Sequence, residues 1–230
     1  ALTVERDVLG TSAAIHSDEA AVITDRWGSV VGSANDIVAP AITQHPSGFT
    51  NLAAASNYEF DVDPIPVGTD VIVAVLLGFD AAAPPDDPDS ITIGGQAMTK
   101  AVANTQGNNY VAIYYKATPP TGTRAFATAW LNTSDANIDE PSFVFYLING
   151  ANAGTLSVST ASSDMSSTTG VSNTVTTAIG DVVVDAYAVN DDPTNTLGDD
   201  QFDGGSLTST DTFAHVSSYQ VATTTSTVMS

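Results

Sequence analysis

The sequence predicts an all-β protein: a two-sheet antiparallel β-sandwich or jelly roll of about ten strands, with an N-terminal extended arm. Three observations carry this reading. From Phe49 onward, short runs rich in Val, Ile, Thr, Tyr and Phe recur with Gly, Pro and Asp turn signals between them. No long helical period appears outside the first part of the chain. The stretch Ile65 to Lys100, IPVGTDVIVAVLLGFDAAAPPDDPDSITIGGQAMTK, shows the strand-and-turn design most clearly.

In that stretch Gly68 launches a strand from Asp70 to Phe79. The strand is too apolar to have a wet face, so it belongs mid-sheet with both sides covered. Pro84, Pro85 and Pro88, mixed with Asp86, Asp87 and Asp89, stop it. Proline cannot donate to a ladder. Ser90 to Ile93 then alternates, and Gly94-Gly95 turns the chain again.

Taken in order, residues 1–48 are an arm and linker, and residues 49–230 the β-sandwich domain. Ser17-Asp18-Glu19 caps a short helix running to Arg26. VAPAITQHPSG, Val38 to Gly48, reads as an extended linker. Two roles stay open for the arm: reaching a neighbouring subunit, or packing on its own sandwich.

Tyr58 to Val62 is a short alternating strand. Tyr110 to Ala117, YVAIYYKA, puts Val111, Ile113 and Tyr115 on one face. Pro119 to Thr123, PPTGT, is a turn in which Gly122 is free to take positive φ. Arg124 to Leu131 is the next strand, and Ser142 to Ile148 is another with both faces apolar. Thr155 to Ser159 and Val171 to Thr177 are Ser/Thr-rich edge strands. Gly180 launches Asp181 to Val189, and Phe213 to Val221 and Thr224 to Met229 complete the pattern.

Charge sets the next constraint. The chain has 26 acidic residues against 5 Lys and Arg, a net charge of −21. Such a surface repels nucleic acid and anionic membrane, so neither is expected as a partner. Its self-repulsion opposes the compact state, and salt screens that repulsion, with a Debye length of about 3 Å at 1 M. The balance therefore points to a protein adapted to high salt; the alternative is an ordinary acidic surface. No apolar run approaches the ~20 residues of a membrane span. The start, ALTVERDVLG, carries no signal-peptide pattern. With no cysteine, there is no disulfide, thiolate metal site or Cys nucleophile.

ITIGGQAMTK (91–100), VAIYYKATPPTGTRAFATAW (111–130) and TTAIGDVVVDAYAV (176–189) carry a family resemblance. Together they resemble a β-sandwich module of tailed-virus structural proteins and of bacterial and archaeal surface proteins. The likeness spans roughly Phe49 to Ser230, and Gly-Gly-Gln with the later Pro-Pro-Thr-Gly-Thr is its most specific part. These are turn motifs, so the resemblance implies a fold more than an activity. Two features depart from it. The arm lies outside the module, and the module's further strand, opening on tryptophan, does not follow STVMS.

No reaction can be named from the residues. His16, His45 and His215 are dispersed, and no Gly-x-Ser-x-Gly, His-Glu-x-x-His or phosphate-binding Gly loop is present. The expectation is a non-enzyme. Calcium is the one cofactor candidate. Hard cations want several oxygens on a loop, and Asp191, Asp192, Asn195, Asp199, Asp200 and Asp203 crowd NDDPTNTLGDDQFDGG. Asp86, Asp87 and Asp89 form a smaller set. Neither has EF-hand spacing, and a solvated acidic turn is the alternative for both. Tyr110, Tyr114, Tyr115, Trp130, Phe143, Phe145 and Tyr146 fill a core at alternating positions or, alternatively, form a sugar platform. Asn132-Thr133-Ser134 is the one glycosylation sequon.

Acidity, arm and resemblance together predict a structural subunit of a repeating surface assembly: a capsid decoration, turret or coat protein on the virion surface of a virus of a halophilic host. Its partners would be copies of itself, in a closed symmetric oligomer, and a capsid or other lattice protein. Arg6, Arg26, Trp27, Val30, Val31, Ile37, Val38 and Ile42 are the expected assembly residues. A secreted filament or surface-layer subunit built by strand donation is one alternative, and a glycan-binding module is another. Ser217 to Ser230 has no charge and no proline, so it is either paired or a pairing hazard, and Gly28 to Val31 and Ile37 to Ile42 of the arm are the candidate pieces to fill an open place beside it by strand addition.

Overall fold

The structure is a computed structural model of the 230-residue chain. It describes residues 23–24, 30–31, 40–45, 57–79, 87–106, 109–129, 139–151, 173–190, 201–208 and 213–229. The chain forms two compact units, Ala1–Pro40 and Ala41–Ser230. In the first, β1 (Ile23–Thr24) pairs antiparallel with β2 (Val30–Val31).

The second unit begins with β3 (Ala41–Gln44), β4 (Asn57–Ile65), β5 (Val71–Phe79), β6 (Ser90–Ile93) and β7 (Gln96–Ala97). Then come β8 (Thr99–Gln106), β9 (Asn109–Ala117), β10 (Gly122–Ala129) and β11 (Asp139–Asn149). The last group is β12 (Asn173–Thr176), β13 (Val182–Asn190), β14 (Phe202–Thr208), β15 (Phe213–Val221) and β16 (Ser226–Met229). The described residues contain no helix. Every pairing among the described residues is antiparallel. The all-β expectation holds; the count of about ten strands does not. Among the described residues there are 13 strands of four residues or more.

β5 is central to a five-stranded sheet of order β3-β11-β5-β9-β8. Ile72, Ala74 and Leu76 face one core, with Val62, Ile65, Ile93 and Phe126 from the four-stranded sheet β4-β10-β6-β7. Val71, Val73, Val75 and Leu77 face a second core, packed against Val182, Val184, Tyr219 and Val221 of the three-stranded sheet β13-β15-β14. The unbroken apolar run in β5 thus has a simple cause: both faces of its sheet are covered. A third sheet lies against the side of the five-stranded sheet that the four-stranded sheet leaves open.

The two turn motifs meet in space. Gly94 has φ +56°, and a Cβ there would sit 2.9 Å from Pro120 Cγ and 3.0 Å from Arg124 Cδ. Its N–H donates to the Ala125 carbonyl at 2.7 Å. Only glycine fits beneath the Pro-Pro-Thr-Gly-Thr turn in that conformation, so the Gly-Gly and Pro-Pro turns are one packing device.

Three strands differ from the sequence reading. Ile23–Thr24 lies within the span expected to be a short helix but pairs as a strand with Val30–Val31. Ala41–Gln44, read as linker, is an edge strand in which Ile42 pairs with Ile148 and is buried. The flanking prolines, Pro40 and Pro46, mask it. Phe202 to Gly205, placed by the sequence reading in an acidic loop, belongs to β14, which pairs with β15. Its register shifts between Asp203 and Ser206, where Gly204-Gly205 permits a bulge. Thr155 to Ser159 lies outside the described residues. Within Ser217 to Met229, β15 lies between β13 and β14, Thr223 to Thr225 forms a bend, and β16 pairs with β12.

Candidate functional site

Two polar clusters stand out on this apolar frame. The first borders the larger core. Tyr110 and Tyr114 point into that core from β9. The Tyr110 hydroxyl donates to Asp87 Oδ1 at 3.0 Å, and Lys100 Nζ pairs with Asp87 Oδ2. Asp87 thus ties the segment ahead of β6 to β8 and β9. In sequence it was a member of the smaller calcium set; in the fold a lysine satisfies it.

Burial pushes the Tyr110 phenol well up, and the Tyr114 and Asp87 charges push the same way. Tyr114 is pushed up to about 12, chiefly by burial; its bond with Tyr110 opposes the shift and the Asp87 charge adds to it. A phenol whose folded pKa is raised supports folding fully below its unfolded pKa, near 10, and that support is lost as pH rises through the folded value. Tyr114 therefore withdraws folding stability between about pH 10 and 12. We expect phenolate absorbance to show two tyrosines silent until alkaline unfolding. Titration of all seven tyrosines before any loss of structure would overturn this.

The second cluster lies on β13 and β15, on the side facing away from the smaller core. Asp185 and Ser218 are opposite each other in the ladder. Ser218 Oγ donates to Asp185 Oδ1 and accepts from Gln201 Nε2 at 2.9 Å. Burial raises the Asp185 carboxyl, and hydrogen bonds from Ser218 and the backbone oppose that. Ser218 is 1% exposed, so no substrate carbonyl can reach its hydroxyl. Asp185, the one charged residue inside the apolar run VVVDAYAV (182–189), is the available sequence signal for this cluster.

Of the sequence-derived metal set, Asp191, Asp192, Asn195, Asp199 and Asp200 lie outside the described residues. Asp203 stands in β14, opposite Ser218. Among the described residues no group of three or more His, Cys, Asp or Glu could hold a metal ion. Of the assembly set, Arg6, Arg26, Trp27, Ile37 and Val38 also lie outside. Val30 and Val31 pair with Thr24 and Ile23, and Ile42 pairs with Ile148 of the same chain. Tyr110, Tyr114, Phe143, Phe145 and Tyr146 are buried, as core aromatics are.

One aromatic behaves differently. Phe202 on the edge strand β14 is 54% exposed. It stacks on Tyr219 with centroids 5.2 Å apart and planes at 16°. Tyr219 meets Tyr146 edge-on at 5.6 Å, and the Tyr146 hydroxyl is 2.6 Å from Ser217 Oγ. No described helix is long and apolar enough to cross a membrane. In comparisons with known proteins, no family model matches the chain, and no curated protein or solved structure matches it either.

Proposed function

We propose that this chain is a non-enzymatic structural subunit of a repeating surface assembly, adapted to high salt, and that the assembly is a virion surface to which it contributes a decoration, turret or coat protein. In this reading the four- and five-stranded sheets are the jelly-roll sandwich proper, and the three-stranded sheet is an addition to it. Its partners are copies of itself and a lattice protein.

The observation that carries the proposal is an asymmetry of sheet edges. β4, an edge strand, exposes Glu59, Asp61 and Asp63 at alternate positions and carries Pro64, a combination that blocks pairing. β16, Ser226–Met229, pairs with β12 alone among the described residues and so presents an edge with neither charge nor proline, in a chain of net charge −21. Acidic blocking is thus local, which suits a protein that associates at chosen surfaces. A second reading, a glycan-binding module, is favoured by Phe202 alone, since an exposed aromatic face can stack on a sugar ring.

Deleting residues 1–40 tests the assembly reading, because that cut leaves β3 on its sheet. At about 2 M NaCl, where surface repulsion is screened, the full chain should form a discrete oligomer by light scattering. The truncated chain should stay folded and remain monomeric. A full chain that is monomeric, or a truncated chain that assembles equally well, would sink the proposal. Binding to a glycan array lost in Phe202→Ala would favour the second reading.

A further inference from the structure

Among the described residues, the exposed large apolar side chains are Val67, Ile179, Phe202 and Val228. The registers bring them to one end of the second unit. β5 starts beside the ends of β9 and β11, where Val71 is opposite Ala117 and Ile148, and the Val67 turn leads into it. β13 starts beside the end of β15, where Val182 is opposite Val221, and the Ile179 turn leads into it. Backbone handedness aligns the two starts. The Asp70 carbonyl accepts from the Thr118 N–H, so the backbone groups of Val71 and Val73 point to β11. The Asp181 carbonyl accepts from the Ala222 N–H, so those of Val182 and Val184 point away from β15. All four side chains enter the smaller core, two from each sheet. For L-residues the side-chain face, the strand direction and the side taken by N–H and C=O are coupled. With β14 over β11 and β13 over β9, both patterns hold only if β13 runs the same way as β5. Val67 and Ile179 therefore stand at the same end. The ladder continues from there: the Thr177 N–H donates to the Thr225 carbonyl, and β12–β16, which holds Val228, follows. Phe202 opens β14 opposite Tyr219, two residues before β15 finishes.

Charge divides along the same axis. In the described turns at this end the acids are Asp70 and Asp181, and backbone N–H groups hold both carboxylates: Gly150 at 2.6 Å and Ala178 at 2.7 Å. Lys116 and Arg124 stand near it, opposite Ile72 and Val62. The other end has the exposed Asp87 and Asp89 ahead of β6, and Asp139 opening β11 opposite Phe79. The fold does not need its turn tips to be apolar. Gly68 and Gly180, with φ of +92° and +93°, make the turns, and polar residues ordinarily fill the positions beside them. Val67 and Ile179 are instead 91% and 74% exposed. We propose that this end is where two copies of the chain meet, tip to tip, across a two-fold axis. Charge selects a second copy. An approach through β4 or through the other end sets carboxylates against carboxylates, whereas this one faces the least acidic ends and leaves the acidic ends outermost. The two tips are β-branched and carried on tight turns, so little freedom is lost on docking. The inference rests on the assembly reading and names where copies touch. The contact is small, so it adds to the hold of residues 1–40 rather than replacing it.

Placing charge on the tips tests this. Light scattering of the full chain at about 2 M NaCl, where surface repulsion is screened, reads the oligomer. The double variant Val67→Asp with Ile179→Asp should melt with the unaltered chain, since both side chains are exposed. Its oligomer should dissociate with a constant about tenfold higher or more, because each new carboxylate meets its own copy. Ser90→Asp adds charge at the other end, where Ser90 is exposed, and should leave the oligomer unchanged. A double variant that assembles as well as the unaltered chain would overturn the contact and leave the assembly reading standing. A monomeric unaltered chain would overturn both. Equal weakening by Ser90→Asp would reduce the effect to net charge and overturn the contact. Two other occupants show themselves in the same samples. An intact oligomer of the double variant with faster hydrogen exchange in residues 1–40 would mean that those residues cover the end. Flotation of the unaltered chain with phosphatidylcholine vesicles, lost in the double variant while its oligomer persists, would assign the end to a lipid surface. Either result overturns the contact between copies.

Discussion

Phe126→Ala is expected to cost about 3–5 kcal/mol of folding stability, the range for truncating a buried aromatic. Phe126 is fully buried. Its ring lies 5.2 Å from Phe60, 5.6 Å from Phe143 and 5.0 Å from Phe145, centroid to centroid. It also pairs with Phe60 on one side and Ile93 on the other through the β10 backbone. The substitution therefore removes contacts across two sheets at once, and the rigid neighbours cannot collapse fully into the gap. Val67→Ala is the control: Val67 is 91% exposed in a turn, so its loss should stay within about 0.5 kcal/mol. Urea unfolding at fixed high salt measures both. A Phe126→Ala loss below about 1 kcal/mol would mean that this aromatic cluster is not the centre of the core.

The same cluster shows what could be read from the sequence. Strands with one unambiguous pattern were legible. β5 is apolar throughout because both faces are covered, and β9 alternates because Tyr110, Ala112 and Tyr114 enter one core while Val111, Ile113 and Tyr115 enter the other. β14 was illegible because its glycines and aspartate imitate a loop; only the bulge opposite β15 reconciles them with a ladder. The polar clusters depend on distant pairing. Asp87 finds Lys100 across 13 residues and Asp185 finds Ser218 across 33. No local spacing rule brings either pair together. Asp87 looked like one ligand of an acidic loop because sequence shows neighbours along the chain, not across the sheet.

The third sheet changes how function should be sought. A two-sheet sandwich would leave one face of β5, β9 and β11 to solvent. Here that face packs against β13 and β15, so a partner must approach through edges, turns or the outer sheets. Among edges, β4 is guarded by carboxylates. Among the described residues the exposed large apolar side chains sit elsewhere: Val67 and Ile179 in turns, Phe202 and Val228 on strands. These are the positions where assembly contacts and glycan contacts can be separated by single substitutions.

Raising NaCl from about 0.1 M to about 2 M should increase the melting temperature by on the order of 10 °C, equivalent to roughly 3 kcal/mol for a chain of this size. The cause is visible on β4. Glu59, Asp61 and Asp63 are exposed at alternate positions of one strand. Successive members stand about 6.6 Å apart at strand rise. That distance is inside the Debye length of about 10 Å at 0.1 M and outside the value of about 3 Å at 1 M. Each such pair is repulsive in dilute buffer and close to silent in brine. With 26 acidic residues and 5 Lys and Arg, few of these repulsions can be offset by ion pairs. Lys100 is already committed to Asp87. Ordinary surface ion pairs respond in the opposite direction, losing strength as salt rises. The sign of the response therefore separates the two cases, and choline chloride should reproduce most of it because screening depends on ionic strength alone. A melting temperature that is flat or falls across this range would remove the case for high-salt adaptation, and with it the argument that neighbouring acidic subunits can approach one another only in brine.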